Sequence, residues 1–446
     1  MRHIAIFLLG LTCAVVGVCT ETSAKPTFDI VQDRENALYG CGETATFTVR
    51  VADSQGGAPT NGLVAWTLDN FGSVKVGSGS ADLAKANPFT VRGKLDEPGF
   101  LRLTARCDDA SKVWSVGYDV GRIRQDEPCP ADFDEYWQGE KARLAREVPL
   151  DARCEKVDRM CSAARDAYRI SFATFNGTRL WGFMTIPTDR SKAPFRTVLR
   201  VCDAGTGATG PWSDRTDEIT VTMNVFPFEP AANEKEQRKL LDAFNRSQAA
   251  KYGLAPGSYC ALCGVGDSRE DYFFHDAMLG LARAVDWIAA RPEVDPKRLV
   301  YFGSSQGGGF GLYLNYLVPR FVRAVFAVPA ATGHFGFRQR RQDGWPNLVL
   351  HQPAAKRAAA ERNAAYFDGV NFAARIRVPV RFIVGFADGC CPPPNVYAAY
   401  NVCPSADKAI VNAVGAEHCG SIGWIWWIDN HRGAPSWLDH NAWLRN

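Results

Sequence analysis

Gly303-Ser304-Ser305-Gln306-Gly307 sets a serine hydroxyl midway between two glycines. A short apolar run, 299–302, precedes it, and a glycine-rich helical segment, 307–317, follows. Strand, sharp turn and helix are the setting of a nucleophile elbow, which exposes the central serine. The turn brings backbones together, so Gly303 and Gly307 must be small. At a helix N-terminus, free N–H groups and the helix dipole favour negative charge near Ser305. A serine hydroxyl needs a base, and the base needs an orienting acid. On such a scaffold the chain order is serine, acid, histidine. Asp388 follows the predicted strand 378–385, and His418 follows the predicted strand 409–414. Both then lie at carboxyl ends of strands, where open α/β sheets gather their sites.

Plainer readings exist for each residue. Asp388-Gly389 is also a turn pair, and His418 beside Cys419 is also an ordinary surface histidine. The rival histidines fit the order less well. His275 stands at a predicted helix start, and His334 and His351 precede the acid. His431 and His440 have no strand before them. The chemistry implied is acyl transfer through Ser305, with His418 as base and Asp388 as its orienter. The oxyanion would be held by the backbone N–H of Gln306 and by one from the loop 201–207, where Ala204 is the expected donor. No metal and no cofactor is needed for this chemistry.

Elements able to position these groups follow from periodicity. From residue 196 onward, short apolar strands (197–201, 299–302, 324–328, 378–385, 409–414) alternate with helical stripes such as 277–290. That alternation predicts a mostly parallel sheet with helices on both faces. Before it, segments 168–175 and 180–186 flank Asn176-Gly177, a hairpin signal. A helix is predicted through Phe133, Tyr136, Trp137 and Ala142. The Ala-rich stretch 354–365 reads as an exposed helix.

Residues 25–125 read as a separate small β-sandwich. Phe47, Val49 and Val51 alternate with polar residues, as do Leu101, Leu103 and Ala105. Cys41, Trp66 and Cys107 occur in the order of an immunoglobulin-like domain, with a Cys41–Cys107 disulfide against the tryptophan. Residues 126–446 form the second domain, which begins after a polar, Pro-containing boundary.

The first residues read as a leader for export. Arg2 and His3 precede an apolar run, 4–18, and Thr22-Ser23-Ala24 supplies small residues for cleavage after Ala24. A secreted or periplasmic protein is expected. Fourteen cysteines suit an oxidising compartment; Cys13 and Cys19 leave with the leader, so twelve remain. Cys260-x-x-Cys263 lacks the second pair of a structural zinc site and reads as a disulfide or as buried thiols. Cys390-Cys391 could pair through one member with Cys403 or Cys419, bracing the acid and base loops. The late apolar run 424–428 is too short to span a membrane. A net charge of +3 on 446 residues gives no reason to expect nucleic acid or an anionic membrane as partner.

Several motifs together resemble the acetyl xylan esterase and cephalosporin-C deacetylase family of α/β-hydrolases. They are Ser305-Gln306-Gly307-Gly308-Gly309, the preceding Arg291-Pro292-Glu293-Val294-Asp295-Pro296-Lys297-Arg298, and Asp388-Gly389-Cys390-Cys391-Pro392-Pro393 with Tyr397-Ala398-Ala399-Tyr400-Asn401. Pro130-Ala131-Asp132-Phe133-Asp134-Glu135-Tyr136-Trp137 resembles the family's opening helix. The resemblance implies an α/β-hydrolase fold and a zinc-free enzyme removing O-acetyl groups from carbohydrate. It implies Ser305, Asp388 and His418 as the triad, and a homo-oligomer. Trp212, Phe226 and Trp345 are candidate stacking surfaces for sugar rings. Two features depart from the family. Met223-Asn224-Val225-Phe226-Pro227 stands where an Arg-Gly-Gln-Gly signature is usual, and Cys419 stands where Glu often follows the histidine. The insertion 228–267 is also unusual. The alternatives are an esterase for larger acyl groups such as feruloyl esters, and a non-catalytic glycan-binding protein.

Overall fold

The computed structural model describes residues 26–420, except 54, 55, 58 and 60, together with Trp443. The expected leader and the apolar run 424–428 lie outside the described residues. No helix among the described residues is long and apolar enough to cross a membrane.

The N-terminal part is built from β1 (Thr27–Gln32), β2 (Leu38–Tyr39), β3 (Ala45–Ala52), β4 (Leu63–Asp69), β5 (Lys75–Asp82), β6 (Phe89–Gly93), β7 (Gly99–Cys107) and β8 (Ala110–Tyr118). They form a three-stranded sheet, β1-β3-β6, and a five-stranded sheet, β2-β8-β7-β4-β5. The period-two pattern does what strand geometry requires. Phe47, Val49, Val51, Leu101, Leu103 and Ala105 are all buried, and the residues between them are more exposed.

The expected Cys41–Cys107 disulfide is corrected, because both are free thiols. Leu38 and Tyr39 pair with Gly117 and Tyr118, and Tyr118 pairs with Gly99. Cys41 is therefore near the Gly99 end of β7, and Cys107 is at the other end. Nine residues of strand separate the two ends by about 26 Å, far beyond disulfide reach. Trp66 packs over Gly79 on the neighbouring strand, not against a disulfide. Matching parity placed the two cysteines on one face but said nothing about height along it.

The second part holds a nine-stranded sheet, β17-β16-β15-β14-β12-β13-β11-β10-β9. Its strands are β9 (Arg153–Lys156), β10 (Arg165–Ala173), β11 (Arg179–Pro187), β12 (Phe195–Val201), β13 (Ile219–Met223), β14 (Val294–Ser304), β15 (Arg323–Ala327), β16 (Val380–Gly385) and β17 (Lys408–Ala413). From β13 to β17 every pairing is parallel, and the β9–β10–β11 end is antiparallel. The helices are α1 (Phe133–Glu147), α2 (Glu234–Tyr252), α3 (Phe273–Ala289), α4 (Ser305–Leu317), α5 (Arg357–Ala364), α6 (Gly369–Ala373) and α7 (Pro393–Val402).

The chain runs from β12 to β13 on one side, then to β14 on the other. That reversal opens a crevice beyond the carboxyl ends of β12 and β14. The Asn176-Gly177 turn behaves as read: both residues have positive φ, 58° and 66°, between β10 and β11. The Ala-rich stretch is shorter and less exposed than expected. Only Arg357–Ala364 is α-helical there, and Ala360 and Ala364, one turn apart, are buried.

Candidate active site

Ser305 sits where β14 ends and α4 begins, on the reversal point of the sheet. Its φ is +52°, a left-handed conformation uncommon for a side chain of this kind. Strain held at such a turn aims the side chain out of the sheet. The small flanks are needed. A Cβ on Gly303 would stand 2.5 Å from the Gly307 carbonyl oxygen, and one on Gly307 would overlap that of Val201. α4 starts at Ser305 itself, so the Gln306 N–H is in the first turn, where no intrahelical acceptor exists.

His418 follows β17 and reaches the elbow. Its Nε2 is 2.9 Å from Ser305 Oγ, and its Nδ1 is 2.8 Å from Asp388 Oδ2. Asp388 is fully buried after β16. Its Oδ1 accepts from the backbone N–H groups of Cys390 and Cys391, at 2.8 Å each. One carboxylate oxygen is thus pinned by the loop and the other by the histidine. Burial works against a charged His418, but the hydrogen bonds it makes to Asp388 and Cys390 outweigh it and hold the imidazole above its ordinary value. Hydrogen bonding to Cys391 and to His418 pulls the Cys390 thiol the opposite way, below the usual thiol range. An imidazole so placed can take the Ser305 proton at Nε2, while the carboxylate stabilises the cation that forms.

The loop after β12 is tied to the elbow by side chains. Ser304 Oγ donates to Asp203 Oδ1 at 2.8 Å, and Gln306 Nε2 donates to the Cys202 carbonyl at 3.2 Å. Tyr259, from the insertion, accepts from the Gly205 N–H at 3.4 Å and donates to Gln306 Oε1 at 3.3 Å. Sequence reading missed Tyr259 as a neighbour of the site, since it has no local signal. Asp388-Gly389-Cys390-Cys391 did place Cys390 on the acid loop.

The aromatic candidates separate. The backbone N–H of Trp345 donates to the Cys390 carbonyl at 3.1 Å, and its ring lies 5.7 Å from that of Tyr259, so it borders the acid loop. Trp212 is 37% exposed. It lines a cavity of about 440 Å³ with Ala204, Asp203 and Thr206. Phe226 is corrected: it is 1% exposed and stacks on Phe228, so its ring belongs to the core.

The N-terminal sheets touch both loops. Ser115 Oγ donates to the Phe386 carbonyl at 2.5 Å, and Phe100 meets the Phe386 ring edge-on at 5.0 Å. Lys112 pairs with Glu417 at 3.2 Å. The proposed bracing by a disulfide is corrected as well, because Cys390, Cys391, Cys403 and Cys419 are free. Cys403 Sγ instead faces the Ile376 carbonyl in the core. Cys260 and Cys263 are buried free thiols.

The rival histidines have other surroundings. His334 is fully buried, and His351 Nδ1 faces the Pro346 carbonyl. His431 and His440 lie outside the described residues. His275 is fully buried between two carboxylates, Asp276 at 2.8 Å from Nδ1 and Glu140 at 2.9 Å from Nε2, with Arg143 also on Glu140. Carboxylates only accept, so both ring nitrogens must donate. Burial opposes this charge, yet the two hydrogen bonds raise the His275 pKa. A raised folded-state value stabilises fully below the unfolded value of about 6.5 and is lost as pH rises through the folded one. The melting-temperature advantage of the native protein over His275→Gln is therefore expected to shrink as pH rises through that window. A pH-independent difference would reject the charged assignment.

Comparisons with known proteins bear on the family and the fold. A model of the family described as acetyl xylan esterase (AXE1) matches residues 119–421, more than half of the chain. The chain belongs to the acetyl xylan esterase family. It is a carboxylic ester hydrolase. Acetyl esterase Axe7A of Xylanibacter ruminicola is 25% identical over 425 residues, covering 93% of this chain and 91% of that protein. Acetyl xylan esterase 1 from Thermoanaerobacterium sp. superposes with a TM-score of 0.55 at 22% identity, covering 67% of this chain and 92% of that one. The acetyl xylan esterase of Paenibacillus sp. R4 gives 0.55 at 19% identity, covering 70% and 98%. The last two likenesses establish the α/β-hydrolase fold of the second part.

Proposed function

We propose that this esterase removes O-acetyl groups from polysaccharide or oligosaccharide, with Ser305, His418 and Asp388 as its catalytic triad. The observation that carries the reading is the continuous Asp388–His418–Ser305 hydrogen-bond chain at the elbow. Ser305 Oγ attacks the acetyl carbonyl carbon while His418 Nε2 takes its proton. The N–H groups of Gln306 and Ala204 hold the oxyanion. The tetrahedral intermediate collapses, His418 returns the proton to the sugar oxygen, and the deacetylated sugar leaves. Water then attacks the acetyl-Ser305 ester with His418 as base, and acetate is released.

Acetyl rather than larger acyl groups are favoured by the family and by the relative named an acetyl esterase. Trp345 beside the acid loop and Trp212 beside Ala204 are the proposed sugar-facing rings. The same reading includes export with cleavage after Ala24, which rests on the N-terminal sequence alone. It also takes the two N-terminal sheets as an immunoglobulin-like sandwich, on the strength of their strand order. The deciding experiment measures acetate release from a panel of acetylated glycans, alongside feruloyl esters and short- and long-chain nitrophenyl esters. Preference for acetyl substrates is expected. Preference for feruloyl or long-chain esters would overturn the reading.

A further inference from the structure

Cys390 Sγ, Cys391 Sγ and a ring nitrogen of His418 all lie within 4.8 Å of one another. The mechanism uses His418 and leaves both thiols without a task. Two adjacent thiols invite a disulfide, but the backbone disfavours one. Neighbouring Cα atoms are about 3.8 Å apart across a trans peptide. Disulfides usually need about 4.4 Å or more. Both peptide N–H groups are also committed to Asp388 Oδ1, so the loop is not free to twist.

An atom inserted between the sulfurs meets no such obstacle. Zinc bonds sulfur at about 2.3 Å and imidazole nitrogen at about 2.0 Å, which sets tetrahedral ligand separations near 3.8 Å for S···S and 3.5 Å for S···N. From 4.8 Å, the sulfurs therefore need to close by about 1 Å at most and each sulfur and the ring nitrogen by about 1.3 Å at most, within reach of side-chain rotation. Thiolate and imidazole donors select soft or borderline divalent ions over magnesium or calcium. Cys390 is partly exposed beside Trp345, which gives an ion a route from solvent.

We propose that Cys390, Cys391 and His418 form an inhibitory site for a thiophilic divalent cation such as zinc or cadmium. The ion would have three protein ligands and one open position. Inhibition follows from which atoms are taken. His418 Nε2 carries the bond to Ser305, and Nδ1 carries the bond to Asp388. Coordination through either nitrogen breaks the chain, and a coordinated Nε2 has no lone pair to accept the serine proton. The ion acts as an off-switch and has no part in the esterase reaction.

The inference rests on His418 being the base, so its test has a readout independent of activity. The full chain, reduced and stripped with chelator, is titrated with cadmium or zinc alone. Hydrolysis of 4-nitrophenyl acetate and the ultraviolet cadmium–thiolate charge-transfer band are followed together. Expected are saturation near one equivalent, loss of activity in step with the band, and recovery on adding chelator. Cys390→Ser should raise the inhibitory zinc concentration by about 100-fold or more, given that even groups behind metal ligands cost 10–100-fold. Cys419→Ser, which alters an exposed thiol, should change neither readout. No band in the native chain, a band without inhibition, or equal inhibition of Cys390→Ser would each overturn the site. The band does not depend on the variant folding. An inactive metal-free enzyme would instead count against the proposed triad.

Discussion

Ser305→Ala is expected to lower kcat/KM for acetyl esters by about 10⁶-fold while leaving the fold intact. The substitution removes only Oγ, the atom 2.9 Å from His418 Nε2. What remains is oxyanion donation and binding, which sustain about 10³–10⁴ over water in enzymes of this kind. Stability should change little, because alanine meets the same unfavourable φ of +52° that serine does. Ser305→Gly, free of that penalty, should be equally inactive but somewhat more stable. Steady-state kinetics and thermal melting of both variants check this. Residual activity above about one hundredth of native would place the nucleophile elsewhere.

The site was legible in the sequence where chemistry imposes chain order. Gly303 to Gly307 could be read because the turn forbids Cβ atoms at both ends. Asp388 and His418 could be read because each follows an apolar strand of the sheet. Tyr259 could not be read. It reaches Gly205 and Gln306 from an insertion whose path nothing local reveals. Phe226 misled for a related reason, since an aromatic near a site carries no mark of whether its ring faces substrate or core. Cys41 and Cys107 show a similar limit. Strand parity fixes a face, but only register fixes height, and register here depends on pairing among β2, β8 and β7.

The fold was legible in its alternation of strands and helices and less so at its edges. β13 escaped notice because Ile219-Thr-Val-Thr-Met alternates threonine with apolar residues, yet all five are buried in the middle of the sheet. Thr220 is accommodated by a polar partner, Thr185 Oγ1, 2.7 Å from its own hydroxyl oxygen. α2 escaped notice although its ends carry signals. Asn233 accepts from the Glu236 N–H, and Gly253 closes the helix in the left-handed region.

Asp388→Asn tests the arrangement more finely than loss of the nucleophile. In the native loop one side-chain oxygen faces two backbone donors, Cys390 N–H and Cys391 N–H. An asparagine amide must turn its oxygen to them, because its nitrogen would meet donor against donor. The NH₂ group is then fixed toward His418 Nδ1. That forces Nδ1 to accept and moves the ring proton to Nε2, where it points at Ser305. A base so protonated cannot take the serine proton. The expected result is a fall of about 10⁴-fold in kcat/KM with little change in melting temperature, since the loop keeps both backbone bonds. Asp388→Ala removes the acceptor as well and should lose melting temperature in addition to activity. An Asp388→Asn enzyme within tenfold of native would mean that His418 does not depend on this carboxylate for its tautomer.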